Sequence, residues 1–234
     1  MSNKKNIYYL LFTLVICIFF GIGTYPQLKV GDYKPHLLWA RELAEIGFLN
    51  LPHILFQQLV VMVRAILPFN LFIKIFPECK SIIDLKSYDI SGFLLAIVFY
   101  LSTAWILFNR FNKKWKAGLS NKDSIISLIT SFVALIVCPI ILLSLKSRLI
   151  LGYIPANVLH NPTYVILRPF ALLLFFYLVD HYTTFSSKRD LLIVAILMCM
   201  ATLSKPNFTI SIIPAFAIIN LLHAKKKDHK NWPL

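Results

Sequence analysis

Apolar runs without a single charge, divided by clusters of lysine and arginine, constrain this chain more than any motif in it. The first, Ile7 to Gly23, holds about 17 uncharged residues, and roughly 17 to 25 such residues cross a hydrocarbon core. Similar runs follow near 91–108, 124–145, 163–179, 191–203 and 208–222. In lipid each must satisfy its own backbone hydrogen bonds, and a helix does that within one segment. Hydrophobic residues make up 58% of the 234 residues, against roughly 45 to 50% in soluble domains. The expectation is therefore all-α: a polytopic membrane helical bundle, one membrane domain over 1–234, with about six transmembrane helices.

The basic residues decide how those spans are threaded. Lys4 and Lys5 precede the first run; Arg110, Lys113, Lys114, Lys116 and Lys122 follow the second; Lys188 and Arg189 precede the fifth; Lys225, Lys226, Lys227 and Lys230 follow the sixth. Six spans put these thirteen of the 24 basic residues on one side, and the bias of Lys and Arg toward inner loops makes that side cytoplasmic. Both termini are then inside, and the expected location is the cell (plasma) membrane. A net charge of +14 would point a soluble protein toward nucleic acid. Here the charge faces anionic membrane lipids instead, and no nucleic acid partner is expected. The Lys4-Lys5 pair with its long apolar run reads as a retained signal anchor, since no small-x-small cleavage site follows.

Leu51 to Phe76 is long and apolar enough to be a seventh span, but counting it would move the five-charge cluster at Arg110 to the outside. It also carries Pro52, His53, Gln57, Gln58, Arg64, Pro68 and Lys74. It is read as a pair of interfacial or re-entrant helices over 51–76 on the outer face. Before it, 36–50 reads as another interfacial helix, with Trp39, Leu43 and Ile46 on the apolar side and Arg41, Glu42 and Glu45 opposite. The last two runs, separated by Ser204-Lys205-Pro206-Asn207, form a hairpin broken at Pro206. Cys17, Cys79, Cys138 and Cys199 show no CxxC or Cys/His spacing, so neither a disulfide framework nor a zinc site is expected.

Three outer loops collect the remaining polar residues. Gly31-Asp32-Tyr33-Lys34-Pro35-His36 follows the first span. Asp32 there stands just before a helix start, where exposed amides and the dipole favour negative charge. A carboxylate so placed can take a proton from a hydroxyl nucleophile or hold a divalent metal; the competing reading is a solvated loop aspartate. His36 could carry a proton or touch phosphate, or be an interfacial histidine without a role. In His160-Asn161-Pro162-Thr163, Asn161 and Pro162 fit a capped helix start, and His160 offers a contact for sugar hydroxyls or phosphate. Arg168 lies about one turn into the following span, where an ionised group is costly unless it faces a cavity, a partner or the headgroups. Lys205, at the tip of the last hairpin, is a point cation suited to phosphate.

This arrangement resembles the membrane glycosyltransferases of the C superfamily (GT-C), which use polyprenyl-phosphate-linked sugars. The likeness rests on Asp32 in Gly-Asp-Tyr-Lys-Pro-His after the first span, on the surface helices 36–50 and 51–76, and on the loops at His160-Asn161-Pro162-Thr163 and Ser204-Lys205-Pro206. It implies sugar transfer on the non-cytoplasmic face from a lipid phosphate donor. Asp32 would be base or metal ligand, and His36, His160, Asn161, Arg168 and Lys205 substrate contacts. Such enzymes usually carry more spans and often a soluble C-terminal domain, so the likeness is to their N-terminal membrane portion, with a partner membrane subunit as a further expectation. The competing classes are a transporter or flippase for an anionic lipid or sugar, and a non-catalytic assembly subunit.

Overall fold

The computed structural model describes residues 2–48, 54–114, 121–136, 161–181 and 187–230, and every regular element among them is helical. The helices are α1 (Ser2–Val30), α2 (Tyr33–Ile46), α3 (Leu55–Ile66), α4 (Phe69–Ile75), α5 (Lys80–Lys114), α6 (Asn121–Ile136), α7 (Pro162–His181), α8 (Lys188–Ser204) and α9 (Asn207–Lys230), with a single 3-10 turn at Pro77–Cys79. Three stretches are long and apolar enough to cross a membrane: Ile7–Lys29, Pro77–Lys113 and Pro162–His181. A fourth candidate is the pair Leu55–Ile66 and Phe69–Ile75, bent by 51°. The chain is a helical membrane protein.

Aromatic contacts fix the helix directions. Tyr9 meets Trp105 and Phe108 at ring distances of 5.7 and 5.5 Å, while Phe20 stacks on Tyr100 at 4.1 Å, so α5 descends as α1 rises. Offset and edge-on ring pairs of this kind add about 0.5 to 1.5 kcal/mol beyond burial. Gly21 lets Phe93 and Ile97 come against the α1 backbone. α7 runs with α5, because Phe99 faces Phe170 and Arg110 pairs with Asp180. α8 reverses, with the Tyr177 hydroxyl donating to Asp190 at 2.6 Å, and Ser187 and Asp190 form a reciprocal capping box at its start. α6 rises beside α1, where Phe132 meets Phe19. α9 descends again, its Ile212 to Ile219 stretch facing Phe175 to Val179 of α7.

These directions bring one set of helix ends together. The chain segments that bear Lys4 and Lys5, Arg110 and Lys113, Lys122, Lys188 and Arg189, and Lys225 to Lys230 all lie at the end opposite α2 and α3. The bent pair begins and finishes at the α2 end. Phe56 of α3 approaches Gly92, and Arg64, at the other end of α3, reaches Asp84 and donates to Ser87 at 2.8 Å. α3 therefore lies along the first part of α5, from Asp84 to Gly92.

Several boundaries differ from the sequence expectation. The interfacial helix expected over 36–50 starts at Tyr33 and stops at Gly47, whose φ of 82° is a left-handed cap returning its N–H to the Leu43 carbonyl. Its buried face is Tyr33, His36, Leu37 and Ala40, not Trp39, Leu43 and Ile46, because it packs toward α3 and α5 at Phe56 and Gly92. The span expected over 91–108 belongs to a helix of 35 residues, about 52 Å long at about 1.5 Å per residue. Its first turns stay helical outside a hydrocarbon core of about 30 Å, held by Arg64 and by Arg41, which lies 3.8 Å from Asp84. Of the run expected over 124–145, only 124–136 falls within the described residues. The hairpin at Lys205-Pro206 is present, with Thr202 and Thr209 hydroxyls 2.9 Å apart across it.

Candidate functional site

Asn161 is the hinge of the site. Pro162 opens α7, and the Asn161 side-chain oxygen accepts from the Thr163 amide at 2.9 Å and from the Thr163 hydroxyl at 2.6 Å, the N-cap that the local sequence predicts. With the oxygen committed to donors, only the NH₂ group remains for the other side. It donates to the Asp32 carboxylate at 3.2 Å. Asp32 is the residue before α2 and makes no side-chain cap there. The amide thus ties the loop after the first span to the start of α7.

From Asn161 a cavity of about 630 Å³ extends between α5, α6, α7 and α9, lined by Thr103, Leu135, Tyr164, Arg168, Lys205, Asn207 and Ser211 among others. Two cations share one ring there: the Arg168 guanidinium lies 5.0 Å and the Lys205 ammonium 5.8 Å from the Tyr164 centroid. Arg168 donates to the Leu135 carbonyl at 3.1 Å, which uses one of five N–H donors on the fork. Among the described residues no carboxylate lies within 4.0 Å of either cation. Like charges on one ring repel, most strongly where water is scarce, and an anion between them would remove the repulsion. Pro169, next to Arg168 inside α7, has no N–H, so the helix ladder lacks one bond beside the cavity.

A second cavity, of about 290 Å³ and wholly apolar, lies further down between α7 and α9, lined by Phe175, Leu178, Val179, Ile212, Ala215, Phe216 and Ile219. The space between α7 and α9 is therefore cationic near Asn161 and hydrocarbon-like beyond Leu172.

Behind the site, Tyr33 is fully buried beside Tyr100. Burial pushes its phenol well above the ordinary value; Tyr100 raises it further and the Arg168 charge opposes. Tyr33 and Tyr164 carry parts of the site that motif reading missed. For Tyr164 the signal was present, since it sits four residues before Arg168, one helical turn away on the same face.

The structure gathers Asn161, Arg168 and Lys205 around one cavity, with Asp32 bonded to Asn161 at its edge. His36 stands elsewhere. Its Nδ1 and the Gln57 amide are 2.8 Å apart, and its ring is edge-on to Trp39 and Phe56 in the α2–α3 packing. His160 lies outside the described residues. Among the described residues no three His, Cys, Asp or Glu side chains assemble as metal ligands. Comparison with family models, curated proteins and solved structures finds no match to this chain.

Proposed function

We propose that this chain is a membrane glycosyltransferase of the GT-C kind, or the membrane portion of one, acting on a sugar carried by a polyprenyl phosphate. The observation that carries the reading is the pairing of Arg168 and Lys205 on one cavity, with an apolar cavity below them between the same helices. Such a cleft suits a ligand with an anionic head and a hydrocarbon tail. A guanidinium fork and a point ammonium are the two side chains that hold phosphate best.

In this mechanism Arg168 and Lys205 hold the donor phosphate at the cavity mouth and the polyprenyl chain lies toward Phe175 and Phe216. An acceptor hydroxyl attacks the anomeric carbon, and its proton passes to the Asp32 carboxylate. The new carbon–oxygen bond forms as the anomeric carbon–phosphate oxygen bond breaks, and the electron pair leaves with the polyprenyl phosphate. Asn161 keeps the carboxylate beside the cavity. The chain crosses the plasma membrane six times, through α1, α5, α6, α7, α8 and α9, with the basic end in the cytoplasm, so that transfer takes place on the opposite face.

Transport of an anionic lipid without covalent chemistry is the second reading. One observation favours it: Asp32 does not itself line the cavity. Reconstituted protein supplied with labelled polyprenyl-phosphate hexoses and lipid acceptors separates the two. Transfer that disappears in Asp32→Asn while donor binding persists supports the enzyme. Unchanged transfer in that variant rejects Asp32 as the base, and lipid movement across vesicles without transfer rejects the enzyme.

A further inference from the structure

A third cavity, about 230 Å³, shares no lining residue with the Arg168 cavity and lies at the corner where α1 ends and α2 crosses α5. Its floor is aliphatic, from Leu28, Leu38 and Leu85, and its rim carries Lys29, Lys34 and Arg41. Arg41 is already paired with Glu45 at 2.9 Å and lies near Asp84. Asp89, the carboxylate of this cavity, is 3.4 Å from Lys86. Among the described residues no carboxylate lies within 4.0 Å of Lys29 or Lys34. Lys29 instead sits 5.0 Å from the centroid of the Tyr25 ring.

Depth in the membrane identifies what meets this corner. The span Ile7–Lys29 has 23 residues, about 34 Å of helix at about 1.5 Å per residue, and Lys29 is its last residue. A cation at that point stands where the hydrocarbon ends, at the level of lipid phosphates, with leucines directly beneath it. We propose that this corner binds one anionic phospholipid, its phosphate between Lys29 and Lys34 and its glycerol and upper acyl carbons on Leu28, Leu38 and Leu85. The bound lipid ties α2 to the end of α1 and thereby steadies the loop that holds Asp32. The site uses none of the residues of the Arg168 cavity and stands whether or not that cavity binds a sugar donor.

The test is native mass spectrometry of the full chain in detergent, titrated with phosphatidylglycerol, phosphatidylcholine or inorganic phosphate. Phosphatidylglycerol should bind preferentially. Lys29→Gln with Lys34→Gln should weaken that binding about thirtyfold, from the usual attraction of two lysines to an anionic lipid surface, whereas Lys29→Arg with Lys34→Arg and, separately, Lys205→Ala should retain it. Helix content by circular dichroism verifies folding of each variant. Equal binding of both lipids, equal binding by the glutamine variant, loss of binding in Lys205→Ala, or displacement of the lipid by millimolar inorganic phosphate would each overturn the proposal.

Discussion

Asn161 donates its side-chain amide to the Asp32 carboxylate at 3.2 Å across 129 residues of sequence. The same amide caps α7 through its oxygen, so its two roles separate by substitution. Asn161→Ser keeps an N-cap oxygen but cannot reach Asp32, so the cap itself changes little and the loss should be that of the bond to Asp32, about 1.5 to 3 kcal/mol. Asn161→Asp keeps the cap and sets two carboxylates against each other. Both should lower transfer, Asn161→Asp more, in an assay run beside thermal melting in detergent. Full activity in both would remove Asn161 from the site.

Arg168 and Lys205 should act on donor affinity more than on turnover. A charge-assisted hydrogen bond contributes about 1.5 to 3 kcal/mol, so Lys205→Ala should raise the KM for a polyprenyl-phosphate sugar about tenfold or more. Arg168→Lys keeps the charge but loses the planar fork and should show an intermediate loss. Steady-state kinetics with a water-soluble short-chain donor measure both; an unchanged KM in Lys205→Ala removes it as a phosphate contact.

Gly92 lets α2 lie close against α5. A Cβ there would stand 2.5 Å from the Leu37 side chain and 3.7 Å from Phe56. Gly92→Ala should therefore destabilise by about 1 to 3 kcal/mol, as overpacking does. Leu37→Ala alone should cost about 2 to 5 kcal/mol. Combined, the two changes should cost less than their sum, because each relieves the other's defect. Detergent melting of the three variants measures the coupling, and strict additivity would mean that the two sites do not touch.

Tyr33 supplies a pH dependence of known sign. Its phenol is raised above the ordinary value by burial, so the folded state keeps a proton that the unfolded chain releases above about pH 10. Stability is unaffected below that pH and falls as pH rises beyond it. Tyr33→Phe should flatten the alkaline limb of a melting-temperature profile.

Sidedness is tested by single cysteines in a chain whose four native cysteines are replaced. Positions 34 and 205 should react together with an impermeant maleimide on sealed, oriented vesicles, and position 113 only after permeabilisation. Reaction of 34 and 205 from opposite faces would dissolve the site.

Much of this was readable in the sequence because charge and hydropathy act locally. The Asn161 cap and the break at Pro206 follow from residue type. The packing of His36 against Gln57 and Phe56 was not legible in the sequence. His36 lies four positions after Asp32 in Asp-x-x-x-His, and which face of α2 turns inward is decided by Phe56 and Gly92, both distant in sequence. The first turns of α5 precede the apolar run near 91–108 and carry Asp84, Lys86 and Asp89. They are helical because Arg64, twenty residues earlier, supplies the partner for Asp84.

α5 contains no proline, whereas α1, α7 and α9 each carry one within the helix, at Pro26, Pro169 and Pro214. Proline is the commonest origin of a sharp kink, and α5 runs as one continuous helix from the Arg64–Asp84 pair to the Arg110–Asp180 pair. The cluster at Asp84 and the ion pair at Arg110 are thus joined by one unbroken backbone ladder, so a displacement of either end is passed along a single element and not across a loop.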